Sequence, residues 1–336
     1  MRMRRLGRDG LEVGAVGLGC MAMSGLYGPA DDAESIATIR GALDAGINLL
    51  DTGDFYGMGH NELLLREALR GSARRRAVIS VKFGALRTPE GGWGGVDGRP
   101  VAVRNFLAYS LKRLGTDYVD IYRPARLDPS VPIEETVGAI SELVRAGHVR
   151  HVGLSEVGAE TIRRAARVHP IVDVQLEYSL MSRGIEATIL PTCRELGIGV
   201  TAYGVLGRGL LLGASPEGRP SGDIRGHRMP RFQGENLGRN QALAAQLAQA
   251  AQSLGKSAAE LAIGWVLSRG PEIVPLIGMR RRQRLAAALA AALTELSPDT
   301  LAAIERAVPA EGVAGTRYDA AQMAHLDSER AGGCPG

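Results

Sequence analysis

Residues 77–84 read AVISVKFG, a short run rich in β-branched residues that carries one lysine, Lys82, and stops at Gly84. A strand apolar on both faces belongs in a sheet covered on both sides, which is the habit of parallel sheets. Similar runs recur at 13–20, 47–51, 117–123, 149–155, 172–178, 199–204 and 272–277. Helical patterns separate them, near 32–46, 60–71, 101–115, 134–147, 159–168, 184–197, 240–269 (in two pieces) and 281–293, with a further one at 299–308. Gly46, Gly115, Gly147, Gly197 and Gly255 stand where helices end, and Ser257-x-x-Glu260 forms a capping box. Ser297-Pro298 supplies an N-cap with proline in the first turn. Eight strands, each followed by a helix, predict a closed (β/α)8 TIM barrel, because closure removes both exposed edges.

No linker divides the 336 residues, so 1–336 reads as a single domain. An N-terminal β-hairpin precedes the barrel, and a long Gly-, Arg- and Pro-rich loop (205–238) follows its seventh strand. The tail 310–336 has weak periodicity and is expected to be flexible or to cover the barrel mouth. Apolar residues at 45% and charged residues at 23% exclude disordered and fibrous classes. Forty basic residues against thirty-six acidic leave only +4, which gives no ground for expecting nucleic acid. Cys20, Cys193 and Cys334 are odd in number and contain no CxxC pair, the pattern of reduced thiols in the cytoplasm. The LGRDGLEVG that follows the basic start carries three charges and no apolar core, so export is not expected. No apolar run approaches about 18 residues, so no membrane helix is expected.

Only three of the forty basic residues are lysine, which makes a lysine inside a strand conspicuous. Barrel chemistry gathers where strands end. Those ends present Asp51, Lys82, Ser155, Gln175 and Tyr203, with Tyr56 just beyond the second strand. An ammonium beside a phenol lowers its pKa, and a carboxylate keeps the ammonium charged, so Asp51, Lys82 and Tyr56 together make a proton donor or acceptor for a carbonyl or alcohol oxygen. A buried structural ion pair with a loop tyrosine is the plainer alternative. A Schiff-base role for Lys82 is opposed by the same Asp51, which holds the lysine protonated.

Other motifs sort quickly. Gly17-Leu-Gly19-Cys-Met-Ala22 fits a dinucleotide fingerprint, but no helix opens after it and no acid ends the next strand at the required distance, so it reads as a turn. The eighth strand ends at Gly278 and leads into Arg280, Arg281, Arg282 and Arg284, where a barrel's phosphate site commonly lies. His148 and His151 fall on opposite faces of a strand, so a shared metal is not expected. His60 follows Tyr56 closely and either lines the mouth or starts a surface helix, and Trp93 is a possible pocket wall.

LLDTGDFYGMGHNE (49–62), SVKFG (80–84), VGLSE (152–156), VQLEY (174–178), TAYGVLGRGLL (201–211) and PLIGMRRRQRL (275–285) together resemble the motifs of the aldo-keto reductases, in particular a bacterial NADPH-dependent branch. The resemblance implies Tyr56 as proton donor, Lys82 as the neighbour that lowers its pKa and Asp51 as the partner of Lys82. It implies that Tyr203 stacks on the nicotinamide while Ser155 and Gln175 hold its carboxamide. Met21 would lie against the ribose, Gly204, Leu206, Arg208 and Gly209 along the diphosphate, and Gly278, Arg280 and Arg284 around a 2′-phosphate. NADPH/NADP+ is the implied cofactor and a small aldehyde or ketone the implied substrate. Two positions depart from the family. Its fourth strand ends D-x-Y-x-x-H, whereas here Asp120-Ile-Tyr122-Arg-Pro-Ala125 puts Ala125 at the histidine. Arg123 or Arg126 is expected to supply the missing donor; a widened pocket, or an NADP(H)-binding sensor without turnover, is the alternative. Ala287-Ala288 stands where the family places Glu-Asn against the adenine.

Overall fold

The computed structural model describes residues 1–8, 10–214 and 223–330, leaving aside the side chain of His227. Strands β1 (Met3–Leu6) and β2 (Leu11–Gly14) form an antiparallel hairpin. The barrel strands are β3 (Gly17–Gly19), β4 (Leu49–Gly53), β5 (Val78–Phe83), β8 (Val119–Pro124), β9 (Val149–Ser155), β10 (Ile171–Glu177), β11 (Gly199–Tyr203) and β12 (Ile273–Gly278). They pair in parallel in that order, and β12 closes on β3. A second hairpin, β6 (Ala85–Arg87) with β7 (Trp93–Val96), occupies the segment after β5.

The strand expected over 13–20 is two strands. The chain leaves the hairpin at Gly14, whose N–H donates to Asn48 Oδ1, and enters the barrel at Gly17. The pattern expected at 60–71 stops at Ala68 and resumes as a short turn of helix at Ala73–Arg76. The helix expected from 281 begins at Leu285, after a single 3-10 turn at Arg282–Arg284. The capping signals hold. Ser257 and Glu260 bond reciprocally at the start of Ala258–Ser268, and Ser297 caps Pro298–Ala307. All five helix-end glycines have positive φ, between 64° and 87°.

Leu6 and Val13 of the first hairpin are fully buried against Leu49, Val78, Ile121, Val172, Val274 and Leu276, the strands' inner residues at the amino-terminal end of the barrel. Burying one such side chain stabilises by roughly 1.5–3 kcal/mol. That apolar plug leaves the opposite end for chemistry.

Residues 310–330, expected to be flexible or to cover the mouth, take the second course. Short turns of helix at Ala310–Gly312, Ala320–Ala324 and Asp327–Glu329 cross the open end, with Arg317 buried between them. Residues 331–336, and with them Cys334, lie outside the described residues; Cys20 and Cys193 are buried free thiols. No described helix is long and apolar enough to cross a membrane.

Candidate active site

The register of the barrel sets the site. Gly19 pairs with both Asp51 and Gly278, Gly53 with Lys82, and Gln175 with Ser155. The strand ends therefore reach one level. At that level Lys82 Nζ donates to Asp51 Oδ2 at 2.5 Å and to Gln175 Oε1 at 3.0 Å, while Gln175 Nε2 donates to Asp51 Oδ1 at 2.7 Å. One hydrogen of the Gln175 amide is thus used inside the triad.

Tyr56 lies over this triad. Lys82 Nζ sits 5.1 Å from the centre of its ring, and the ring packs edge-on to Phe55 at 4.9 Å. The acidification expected from Lys82 is not what the structure holds. Burial first, and then the Asp51 charge, push the Tyr56 phenol well above its ordinary value, and Arg126 is the neighbouring cation that pulls it down. Lys82 itself is lowered by burial, with Asp51 opposing and Arg123 reinforcing that shift. Its charge is spent on Asp51.

Arg123, one of two candidates for the missing donor, is not at the mouth. It is wholly buried and forms an ion pair with Asp173 at 3.0 Å, and it donates to Ser80 Oγ, Thr201 Oγ1 and the Leu154 carbonyl. Ser80, Asp173 and Thr201 lie two residues before Lys82, Gln175 and Tyr203, so Arg123 turns into the layer beneath. Arg126 is the guanidinium that remains. It donates to the Ala125 carbonyl at 2.7 Å and lines the mouth together with Tyr56. Ala125 is buried and its side chain offers no polar group. His60 turns away, bonded to Ser24 and Asp32.

A cavity of about 620 Å3 runs from this mouth along the ends of β11 and β12. It is lined by Met21, Asp51, Tyr56, Lys82, Ser155, Gln175, Tyr203, Gly204, Leu206, Arg208, Gly209, Gly278, Arg280 and Arg284, whereas Arg123, His60 and Arg282 are not among its lining residues. Arg282 is neutralised by Glu34 at 2.9 Å, and Arg280 donates to the carbonyls of Tyr27, Gly28 and Pro29. Arg281 and Arg284 are open to the groove.

Several residues of the site gave no expectation in the sequence. Glu156, held at φ 56°, takes Arg317 from the tail in a two-pronged ion pair, with Ser328 as a third donor. Burial alone would raise the Glu156 carboxyl, but Arg317 overrides it and holds it at about 2. Arg317 also donates to the Tyr203 hydroxyl, and Tyr318 Oη lies 3.1 Å from Tyr203 Oη and accepts from Arg208 at 2.6 Å. Glu177 anchors Arg208 at 3.1 Å and Arg231 at 3.3 Å. Glu156 and Glu177 each end a barrel strand or follow it by one residue, which was the available signal. The tail residues left none.

A dinucleotide fits this groove on three counts. Arg208 Nε is buried without a partner among the described residues. A Cβ added to Gly278 would project into open space, so the backbone there is open to close approach. Arg208 also sits at φ 55°, a strained backbone kept at a functional turn.

The closed barrel and this mouth are compatible with an oxidoreductase acting on carbonyl compounds, and the comparisons with known proteins support that class. The chain belongs to the aldo/keto reductase family, whose model matches residues 15–309. It is 41% identical over 319 residues to Probable aldo-keto reductase 1 of Glycine max, covering 94% of this chain and 91% of that protein. Among solved structures it is similar to a glycerol dehydrogenase from Gluconobacter oxydans, with a TM-score of 0.81 at 27% identity over 99% of both chains. The holo form of an aldo-keto reductase from Bacillus halodurans matches with a TM-score of 0.76 at 27% identity, covering 92% of this chain and 97% of that one. The family generally works with nicotinamide cofactors.

Proposed function

We propose that this chain is a cytoplasmic NADPH-dependent reductase of an aldehyde or ketone, in which Tyr56 gives the proton and Arg126 receives the carbonyl oxygen. The observation that carries the reading is the single groove joining Tyr56, Lys82 and Arg126 at one end to Arg280, Arg281 and Arg284 at the other. When bound, NADPH supplies the hydride. Tyr203 is assigned to stack on the nicotinamide, and Ser155 with Gln175 to hold its carboxamide. Met21, Gly204, Leu206, Arg208 and Gly209 are assigned to the ribose and diphosphate, and Gly278, Arg280 and Arg284 to the 2′-phosphate.

The raised pKa of Tyr56 is compatible with this role. A phenol above its ordinary value of about 10 is fully protonated at neutral pH, and an alkoxide is basic enough to take its proton. Asp51 and Gln175 fix Lys82 beneath the ring. In this reading the guanidinium of Arg126 takes up the negative charge that grows on the carbonyl oxygen, in place of the imidazole that Ala125 lacks.

A second reading, an NADP(H)-binding sensor without turnover, is favoured by Ala125 alone. NADPH oxidation over a panel of aldehydes, for the parent and for Tyr56→Phe, decides between them. We expect turnover by the parent and a loss of at least about 10²-fold in the variant. A parent inert toward every aldehyde yet binding NADPH tightly is the sensor's result. Equal rates for the two proteins overturn the role of Tyr56.

A further inference from the structure

We propose that the substrate reduced at this mouth carries an anionic group, a carboxylate or a phosphate, held by Arg87 and Arg228; the proposal rests on the reading of Tyr56 as proton donor to a carbonyl. Outward from Tyr56 the groove opens into a chamber of about 890 Å3. One wall is the β6–β7 hairpin, another the segment Ile224–Met229, and the third the tail from Tyr318 to Leu326. Trp93, Met229 and Leu326 give it apolar surface, so Trp93 does stand at a pocket wall.

The charged groups lining the chamber are unbalanced. Among the described residues it has four arginines, Arg87, Arg126, Arg208 and Arg228, and one carboxylate, Asp319. Arg208 is already paired with Glu177, and Asp319 Oδ1 accepts the Gln322 N–H to cap Ala320–Ala324. No carboxylate among the described residues pairs with Arg87, Arg126 or Arg228. Other arginines of the chain do form ion pairs, as in Arg163–Glu195 and Arg164–Glu134.

The placement of the three divides their work. Arg126 adjoins Tyr56 and the carbonyl position. Arg87 stands farther out, its guanidinium 5.7 Å from the centre of the Phe55 ring, which in turn packs on Tyr56, and its other contact is a long bond to the Gly91 carbonyl. Burial first, and then the charge of Arg228 across the chamber, lower Arg87 from its ordinary value. Both guanidiniums line the chamber, and no carboxylate among the described residues pairs with either. An anion placed there makes charge-assisted bonds to both and removes their repulsion, and the same charges draw it in from solution.

Matched pairs of aldehydes test this: 4-carboxybenzaldehyde against its methyl ester, and glyceraldehyde 3-phosphate against glyceraldehyde, each with NADPH and with NADH. We expect kcat/KM about tenfold or more higher for the anion in at least one pair, and the pair that shows it tells carboxylate from phosphate. Arg87→Ala and Arg228→Ala are expected to cut that anion-to-neutral ratio several-fold, mainly through KM, and added salt to erode it. A parent that handles both members of each pair alike, or variants that leave the ratio where it was, overturns the proposal. Calorimetric binding of the same compounds at saturating NADP+ reads the charge preference without turnover. A failure of carbonyl reduction is thereby distinguished from a failure of anion recognition.

Discussion

Arg123 and Asp173 form an ion pair at 3.0 Å in which neither side chain reaches solvent. The pair lies under the Asp51–Lys82–Gln175 triad and is joined to it through Ser80, which accepts from Arg123 and donates to Asp51. Arg123 Nε and Asp173 Oδ1 find no further partner among the described residues. Removing one member strands the other charge in the barrel, a cost of about 3–5 kcal/mol. Arg123→Met is therefore expected to lower unfolding stability by that amount in urea titration, and Arg123→Met with Asp173→Asn to recover most of it. An equal loss in the single and double variants would contradict the pairing.

The tail is held by a charge whose titration is distinctive. Glu156 has a folded pKa of about 2, below the ordinary value of about 4.3, so its pairing with Arg317 stabilises the fold above pH 4.3 and loses that effect as pH falls toward 2. The stake is on the order of 3 kcal/mol. Thermal unfolding of the parent is expected to weaken across this window more steeply than that of Arg317→Met. Parallel pH profiles for the two proteins would mean that Arg317 does not set the Glu156 shift.

On the proposed reading, cofactor choice rests on the basic turn after β12. Arg282 is spent on Glu34, whereas Arg284 faces the groove. Loss of one partly exposed charge-assisted contact to a 2′-phosphate is expected to raise KM for NADPH about tenfold in Arg284→Ala, with KM for NADH little changed. Equal shifts for the two cofactors would move the 2′-phosphate away from this turn.

The barrel was legible because parallel strands buried on both faces print short apolar runs, and because helices ending at Gly115 or Gly197 must turn with positive φ. Residues 13–20 misled because one continuous apolar run crosses from the hairpin into the barrel, and periodicity does not mark that change of sheet. Asp51, Lys82, Ser155, Gln175 and Tyr203 were readable because strand ends converge, whereas Met21, Gly204, Leu206, Arg208 and Gly209 were named only through the resemblance to a family. Arg123 shows the limit of that logic: side-chain parity along β8 gives the inner face but not the depth. Arg317 and Tyr318 left no signal because they are held by Glu156 and Arg208, more than a hundred residues away, with no repeating local pattern.

Arg126 carries the sharpest kinetic consequence. The Ala125 side chain supplies no donor, so on the proposed reading Arg126 is the cation that meets the carbonyl oxygen, and its charge also opposes the rise in the Tyr56 pKa. Removing one such donor typically costs 10²–10³ in kcat. Arg126→Ala is expected to lose about that much in kcat with a neutral aldehyde, with NADPH affinity measured by fluorescence quenching unchanged. Arg126→Lys, which keeps the charge without the planar fork, should recover part of the rate. A variant that kept its kcat and lost only KM would make Arg126 a substrate anchor and would leave the growing negative charge to Tyr56 alone.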